Sequence, residues 1–439
     1  MTEAERIGRD APPHALPLGV KPTVLFVEDV GWESFVQLAV GIRRAGIRTI
    51  RVTTSPRSLA SPLSLFDRTI HLRSLSELAD LAAILDGEHI TDMQMTENVA
   101  EAVSKGLLMM PRSEGTDAWT RRLGAMDKTF VARRLRELGL FTPRIMTGPH
   151  FNSRHIVEEL GLPVVRKLRV GSGGDGVSII TSHDELESLI ANDKHSDQYF
   201  FEEFIEGREL QFGGVFGGRR DDIIVTYETL QRRGALAPAS QIRLLEDHGI
   251  AETGRRIIAA LGITGIMNIN VIRDATGRDW VHDVNPRVFG SFLAFRPAGV
   301  DLLQSYIDWV FDSAHLPVIP APLFRSQRFD DEWSAFPTKT EREHLPSSSR
   351  GKNNSAFLVF PAAFRNQSVK ENPLRTIGRF CRGAYPYLRW VGPRYVAYEA
   401  GRQLLFEVRR LQSRYEKRAI GTAAKVQPPA ARRPANTRI

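Results

Sequence analysis

Asp283, Asn285 and Arg287 alternate along His282-Asp283-Val284-Asn285-Pro286-Arg287, and Asn268 and Asn270 alternate along Gly265-Ile266-Met267-Asn268-Ile269-Asn270. Successive side chains on a strand point to opposite faces, so Asp283 and Asn285 share a face, as do Asn268 and Asn270. Oxygen donors gathered on paired strands suit a hard cation such as Mg²⁺. Arg287 beside them offers a planar fork for a phosphoryl group. Taken alone, the same residues also describe an ordinary polar hairpin surface. A second stretch runs Lys167-Leu168-Arg169-Val170-Gly171-Ser172-Gly173-Gly174-Asp175-Gly176-Val177. Its glycines let backbone amides approach and cradle phosphate oxygens, although a tight hairpin turn reads the same way. No Gly-Lys-Ser/Thr follows, so this is not a Walker loop. A third stretch, Glu202-Glu203-Phe204-Ile205-Glu206-Gly207-Arg208-Glu209, concentrates carboxylates at the end of an apolar run.

The elements that must position these residues can be read from apolar spacing. Thr23–Glu28 is a short buried strand, Ser34–Ala45 has one apolar helical face, and Ile47–Val52 is a second strand. Strand, helix and strand in that order imply a parallel unit, and helices are expected over Leu75–Leu85 and Glu97–Lys105. The turn Glu28-Asp29-Val30-Gly31-Trp32-Glu33 lacks the glycine fingerprint of a dinucleotide site, which argues against a nicotinamide enzyme. Further on, Asp127–Leu138 is a basic helix. Val164–Val170 and Val177–Thr181 are strands that flank the glycine turn, and His183–Ala191 is a helix. Tyr199–Ile205, Leu210–Phe216 and Ile223–Glu228 read as strands of one antiparallel sheet. Ile250–Leu261 is helical, Ile266–Arg273 and Trp280–Val284 form a hairpin, and Asp301–Phe311 is the last clear helix.

Composition bounds the rest. A single cysteine, Cys381, rules out a disulfide scaffold and reads as a packing residue. The first residues lack the apolar core of a signal peptide, and no uncharged apolar run reaches the ~18–20 residues that span a bilayer, so a cytoplasmic protein is expected. The net charge of +8 is unevenly spread: 17 basic but only 4 acidic residues lie between Arg365 and Ile439, which leaves the remainder acidic. Tyr385, Tyr387, Trp390, Tyr395, Tyr398 and Phe406 interleave with the arginines of this arm. Such a pattern suits a membrane surface or a polyanion, or else a helical extension packed on the body; no specific nucleic acid is expected.

In their order, Met126-Asp127-Lys128, Leu162-Pro163-Val164-Val165-Arg166-Lys167, the glycine loop, the Glu-Glu-Phe-Ile segment, Asp-Val-Asn-Pro-Arg and Ala298-Gly299-Val300-Asp301 closely resemble the ATP-grasp superfamily. The Gly-Ile-Met-Asn-Ile-Asn stretch looks most like the synthetase domains of the carbamoyl phosphate synthetase large subunit. This resemblance implies an α/β plus α+β fold, with an N-terminal pre-ATP-grasp Rossmann-like domain before a two-lobed ATP-grasp domain. The organisation that follows is a leader over 1–22, a pre-ATP-grasp domain over 23–118, and an ATP-grasp domain over 119–316 with lobes at about 119–199 and 200–316. A linker over 317–356 and a basic arm with a disordered tail over 357–439 complete it.

The resemblance also implies roles. Lys128 and Lys167 match the basic residues on the nucleotide phosphates, and Gly171, Ser172, Gly173, Gly174 and Gly176 match the phosphate-covering loop. Glu202, with the backbone of Glu203 and Ile205, matches the adenine hinge, and Glu209 matches the ribose-binding carboxylate. Asn270, Asp283 and Asn285 match the Mg²⁺ ligands, with Mn²⁺ an open alternative, and Arg287 with Lys167 matches the catalytic pair on the transferred phosphoryl group. Departures are visible: Leu168 replaces a usual proline, Arg166 is an alternative base, Asp283 is shorter than the usual glutamate, and Asn270 is neutral. The implied activity is an ATP- and Mg²⁺-dependent carboxylate–amine ligase that forms an acyl phosphate and releases ADP and phosphate. The implied partners are a small carboxylate and a small amine, and a homodimer stays open. Arg232, Arg233 and Arg243 are candidates for the acceptor side. The competing reading is a nucleotide-binding scaffold, weak or inactive in catalysis, whose basic aromatic arm contacts a membrane surface or polyanion.

Overall fold

The computed structural model describes residues 21–55, 60, 63–80, 85, 88, 90–104, 121–148, 151–171, 174, 176–192, 196–217, 222–232, 239–313, 356–358 and 392–402. Thr23–Glu28 (β1) buries every residue because the strand is apolar on both faces. It pairs in parallel with Arg48–Thr53 (β2) and Ile90–Met95 (β4), and Arg68–His71 (β3) extends the sheet beside β2, giving the order β3-β2-β1-β4. Val24 and Phe26 face the helix Glu33–Arg43 (α1), where Phe35, Leu38 and Ile42 meet them. Leu25 and Val27 face the other way, onto Met93, Met95 and Val99, the last of these in the helix Glu97–Ser104 (α2).

Two strands of this sheet were not expected from the sequence. β4 reads Ile-Thr-Asp-Met-Gln-Met, with no apolar run, yet it is buried throughout. Its polar groups are satisfied by distant residues: Asp92 Oδ1 accepts from Arg122 Nη1 at 2.5 Å, and Asp92 Oδ2 accepts from the Tyr306 hydroxyl. Burial and the Asp92 carboxylate together push the Tyr306 hydroxyl well above its ordinary range. The helix expected over Leu75–Leu85 is a 3₁₀ turn at Leu75–Asp80, with residues 81–84 outside the described set.

Two antiparallel sheets follow. The smaller has the order β5-β8-β6-β7, from Ile145–Met146 (β5), Val164–Leu168 (β6), Ser178–Ile180 (β7) and Tyr199–Glu203 (β8). Lys128–Glu137 (α3) precedes it in the chain. The helices Ser153–Leu160 (α4) and His183–Asn192 (α5) cover the sheet, burying Ile156, Leu160 and Leu186 against Val164, Ile180 and Phe201. The larger sheet has the order β13-β12-β9-β10-β11-β14. Its strands are Arg208–Phe216 (β9), Ile223–Arg232 (β10), Ala239–Leu245 (β11), Gly265–Arg273 (β12), Asp279–Asn285 (β13) and Ala356–Leu358 (β14).

One face of the larger sheet presents Phe212, Met267 and Ile269 to α3 and to the helix His248–Leu261 (α6). The other presents Val215, Tyr227 and Ile266 to a core shared with α1 and the helix Leu302–Ser313 (α7). The three strands expected in a single antiparallel sheet are therefore divided. Tyr199–Glu203 pairs with Val164–Leu168 and buries Phe201 in the smaller core, so residues 204–207 carry the chain from one sheet to the other.

Of the arm, residues 357–358, which end β14, and 392–402 are described, and 393–402 are helical. Tyr395 and Tyr398 are buried in the core beside α1. The Tyr395 hydroxyl accepts from Gln37 Nε2 at 2.5 Å, and Arg402 Nη2 lies 3.1 Å from Glu33 Oε1. Burial pushes the Tyr398 hydroxyl up to about 12. This segment thus docks on the N-terminal unit, whereas Tyr385, Tyr387, Trp390, Phe406 and Cys381 lie outside the described residues. No described helix is long and apolar enough to cross a membrane.

Candidate active site

α3 begins at Lys128 because Asp127 caps it. The Asp127 Oδ1 accepts from the amides of Thr129 at 2.9 Å and Phe130 at 3.3 Å, satisfying two of the helix's orphan donors. Its Oδ2 takes Arg169 Nη2 at 2.6 Å, and the Lys128 amide donates to the Arg169 carbonyl at 2.9 Å, so the helix start is tied to the end of β6. Lys128 Nζ then reaches the Gly171 carbonyl at 2.6 Å and Asp283 Oδ1 at 3.3 Å. On β6 the buried Lys167 donates to Glu202 Oε1 at 2.5 Å and to the His282 carbonyl at 3.4 Å. Its neighbour Arg166 points elsewhere, with its guanidinium 3.4 Å from the Tyr199 ring centroid. Between these two basic residues the pleat selects Lys167 for the cluster.

Register brings the oxygen donors together. Asn270 stands opposite Asp283, and Asn268 opposite Asn285. Asp283 Oδ2 accepts from Asn285 Nδ2 at 3.1 Å and from Asn270 Nδ2 at 3.4 Å. Burial alone raises the Asp283 carboxyl, but Lys128, His282 and Lys167 outweigh it and hold it below the usual carboxylate range. Glu202 goes the opposite way: burial pushes it up, and the attraction of Lys167 does not cancel that. Asn268 is turned into structure, donating to Tyr227 Oη at 2.8 Å and to the Phe212 carbonyl at 3.2 Å.

The glycine loop returns to the same place. Gly174 and Gly176 have φ of 83° and 72°, and the Gly176 carbonyl accepts from the Leu168 amide at 3.2 Å. A side chain at 176 would put its Cβ 2.3 Å from Leu168 Cδ1, so the turn folds tightly over the end of β6. Ser172 and Gly173 lie outside the described residues. At the crossing between sheets, the Glu203 amide donates to the Arg144 carbonyl at 2.9 Å, and the Glu203 carboxylate pairs with Arg144 Nε at 3.0 Å. Burial opposes ionisation of Glu203, but Arg144 prevails and keeps its carboxyl low. Ile205 lies in the half-buried crossing segment, and Glu209 stands on β9 opposite Ile272. Arg243 is engaged by Glu228 across the β10–β11 pair, Arg233 lies outside the described residues, and nothing is described of the Arg232 side chain.

Arg287 is the residue the sequence reading left most incomplete. Its Nε donates to Glu97 Oε1 at 2.7 Å, its Nη2 donates to the same oxygen and to Asn285 Oδ1 at 3.2 Å, and its Nη1 donates to the Val288 carbonyl at 3.2 Å. The guanidinium carbon lies 4.3 Å from the Trp32 ring centroid. Glu97, the first residue of α2 after β4, and Trp32, just before α1 after β1, stand at the carboxyl edge of the parallel sheet. Gln94 of β4 adds a bond from the Val288 amide to its Oε1 at 2.9 Å. Neither Glu97 nor Trp32 had been singled out. The signal that points to them is positional, since crevices at the carboxyl ends of parallel strands are where such folds bind ligands.

Chemically, the cluster offers two lysines, an arginine, the buried carboxylates of Glu97 and Glu202, the half-buried carboxylate of Asp283 and two carboxamides. Among the described residues no three His, Cys, Asp or Glu side chains gather to hold a metal. One carboxylate with two amides fits Mg²⁺ when phosphate and water supply the remaining oxygens, since this ion keeps much of its hydration. The Asn270 amide turns its nitrogen toward Asp283, an orientation that a half-turn reverses, whereas Asn285 is held as it stands by Arg287 Nη2 on its Oδ1.

Residues 125–291 match the family model of the ATP-grasp domain, and this part of the chain, from α3 through Arg287, is an ATP-grasp domain. Among curated proteins the chain is similar to the carbamoyl phosphate synthase arginine-specific large chain of Bacillus subtilis, with 26% identity over 276 residues, or 58% of this chain and 25% of the relative. The chain thus spans about a quarter of the length of the curated relatives it matches. Among solved structures it is similar to N5-carboxyaminoimidazole synthetase from Staphylococcus aureus complexed with ADP, at TM-score 0.54 and 15% identity over 69% of this chain and 80% of that one. It is also similar to L-amino acid ligase from Bacillus licheniformis, at TM-score 0.50 and 17% identity over 68% and 75%. These structural likenesses concern the fold.

Proposed function

We propose that the protein is an ATP- and Mg²⁺-dependent ligase that activates a small carboxylate as an acyl phosphate for attack by an amine. The observation that carries this reading is the convergence of Lys128, Lys167, Asp283 and Arg287 from two antiparallel sheets and a capped helix onto one place. The names of the similar proteins, a carbamoyl phosphate synthase, a carboxyaminoimidazole synthetase and an amino acid ligase, support the same class of chemistry. On this reading residues 23–118 are the pre-ATP-grasp domain, 119–316 the ATP-grasp domain, 317–356 a linker and 357–439 an arm with a structural role, except that 356–358, across the last boundary, add β14 to the larger sheet.

Lys128 and Lys167 take the phosphate oxygens, exchanging their present carboxylate partners for a polyanion. Gly171 to Gly176 cover the phosphates, Glu202, Glu203 and Ile205 hold the base, and Glu209 holds the sugar. Asp283, Asn270 and Asn285 hold Mg²⁺, which when bound neutralises charge along the phosphate chain. A substrate carboxylate oxygen attacks the γ-phosphorus, the bond to the bridging oxygen breaks, and ADP leaves. An amine then adds to the acyl carbon, phosphate departs, and the amine's proton passes to solvent. Arg287, fixed in direction by Glu97 and Trp32, steadies the transferred phosphoryl group. Positioning and electrostatics do this work without a side-chain nucleophile.

Two measurements test the proposal. Calorimetric titration should show Mg-ATP binding that weakens by about 1.5–3 kcal/mol in Lys167→Ala, the scale of a charge-assisted hydrogen bond. A screen of carboxylate and amine pools should find a pair that triggers ADP release, and Asp283→Ala should abolish that release while the fold is kept. Mg-ATP binding unchanged in both Lys128→Ala and Lys167→Ala would sink the site assignment.

A further inference from the structure

A cavity of about 540 Å³ lies at the opposite end of the parallel sheet from Arg287, where β1, β2 and β3 begin. β1 is six residues long, so the two ends are separated by about 20 Å at ~3.3 Å per residue. Lys21, Arg43, Arg44, Arg48 and Arg394 line the cavity, and Asp67 is its only carboxylate. Arg394 comes from the docked segment of the arm, so body and arm each supply part of the wall.

Some of these cations have structural work. Arg43 and Arg44 close α1, where basic groups offset the helix dipole. Arg43 Nε bonds Asp67 Oδ1 at 2.9 Å, and Arg48 Nη2 bonds Glu88 Oε1 at 2.9 Å. Glu88 is also claimed by Arg68 at 3.0 Å. Arg43, Arg48 and Arg68 thus share two carboxylates, on a body whose overall balance is acidic. No ion pair is made by Lys21 or Arg394 among the described residues. The arm is held close: Gly392 has φ of 94°, and a Cβ there would lie 2.5 Å from Arg44 Nη2. Arg394 is thereby brought to the same wall as Arg44. The cavity is of the size that takes small molecules.

We propose that this cavity binds a small polyvalent anion, carrying two or more phosphate or carboxylate groups, at a site separate from the nucleotide site. Its occupant bridges Lys21 and Arg43 of the body to Arg394 of the arm and fastens residues 392–402 to α1. The ligand therefore acts on how firmly the arm is docked, and through α1 it bears on the turn that holds Trp32. Nothing in this inference depends on the ligase reading.

The test uses the full chain, with pyrophosphate and citrate as separate probes, followed by calorimetry and thermal melting at about 50 mM salt, where screening is weak. Binding should raise the melting temperature, since a ligand of the folded state stabilises it by mass action. Lys21→Gln combined with Arg394→Gln should weaken binding about tenfold or more, the loss expected for two charge-assisted contacts. In a Lys167→Ala background, which removes the nucleotide site's own lysine contact to phosphate, the same pair of substitutions should cause the same loss. Pyrophosphate binding alone assigns phosphate chemistry, citrate alone assigns carboxylate chemistry, and both assign a general polyanion site. The proposal fails if neither probe binds at millimolar concentration, if the double variant binds as the parent does, or if only Lys167→Ala loses binding.

Discussion

Glu97→Ala tests the idea that the N-terminal unit holds Arg287 in place. In the parent, Arg287 and Glu97 side chains are each only 7% exposed, so this is a desolvated pair. Removing one partner of such a pair strands a buried charge at a cost of about 3–5 kcal/mol. Here the Val288 carbonyl, Asn285 Oδ1 and the Trp32 ring remain around the guanidinium, which argues for the lower end, about 3 kcal/mol. Glu97→Gln keeps an acceptor of the same shape and should lose less, about 1–2 kcal/mol. Urea denaturation gives the stability of each variant. A cycle with Arg287→Met isolates the coupling, because removing both charges should cost less than the two single losses together. A Glu97→Ala protein within about 1 kcal/mol of the parent, with no coupling to Arg287, would refute the reasoning.

Three further outcomes are expected. Gly176→Ala should cost about 1–2 kcal/mol, since φ of 72° is strained for any side chain and the new Cβ meets Leu168; Leu168→Ala should relieve the contact but leave the backbone strain, and full rescue in thermal melts would show that no such strain exists. Burial raises the Asp247 carboxyl, but Arg273 and the Ile250 amide outweigh it and hold it below 3.8. Its stabilisation is then complete above pH 3.8 and lost as pH falls through the lower folded value, so Asp247→Asn should flatten the acid limb of the stability curve, and an unchanged limb would contradict the assignment. Deleting residues 365–439 should uncover the α1 surface under Tyr395 and Tyr398, lower the melting temperature and promote aggregation; a truncated protein that melts like the parent would show that the docked segment contributes nothing.

The ATP-grasp domain is legible in the sequence because its marks are local. Lys128 follows a capping aspartate, the glycine loop joins two short strands, and Asp283 and Asn285 alternate along one strand while Asn268 and Asn270 alternate along its partner. Period-two alternation says which side chains share a face, and a hairpin brings the faces together over a short separation. β1 and α1 were legible for the same reason, since each carries its own apolar pattern.

β4 was not, because its burial depends on Arg122 and Tyr306 neutralising Asp92 from elsewhere in the chain, and no local pattern reports that. Strand pairing was equally hidden: Tyr199–Glu203 has the same alternation as its successors, and only its register against β6 assigns it to the smaller sheet. The choice between Arg166 and Lys167 was made by the Tyr199 ring and the Glu202 carboxylate on opposite faces of one strand. Glu97 lies 190 residues from Arg287 in the chain, and only folding puts its carboxylate against that guanidinium. Spacing along a chain encodes which face a residue takes, whereas the partner waiting there is set by how the sheets and helices close on one another.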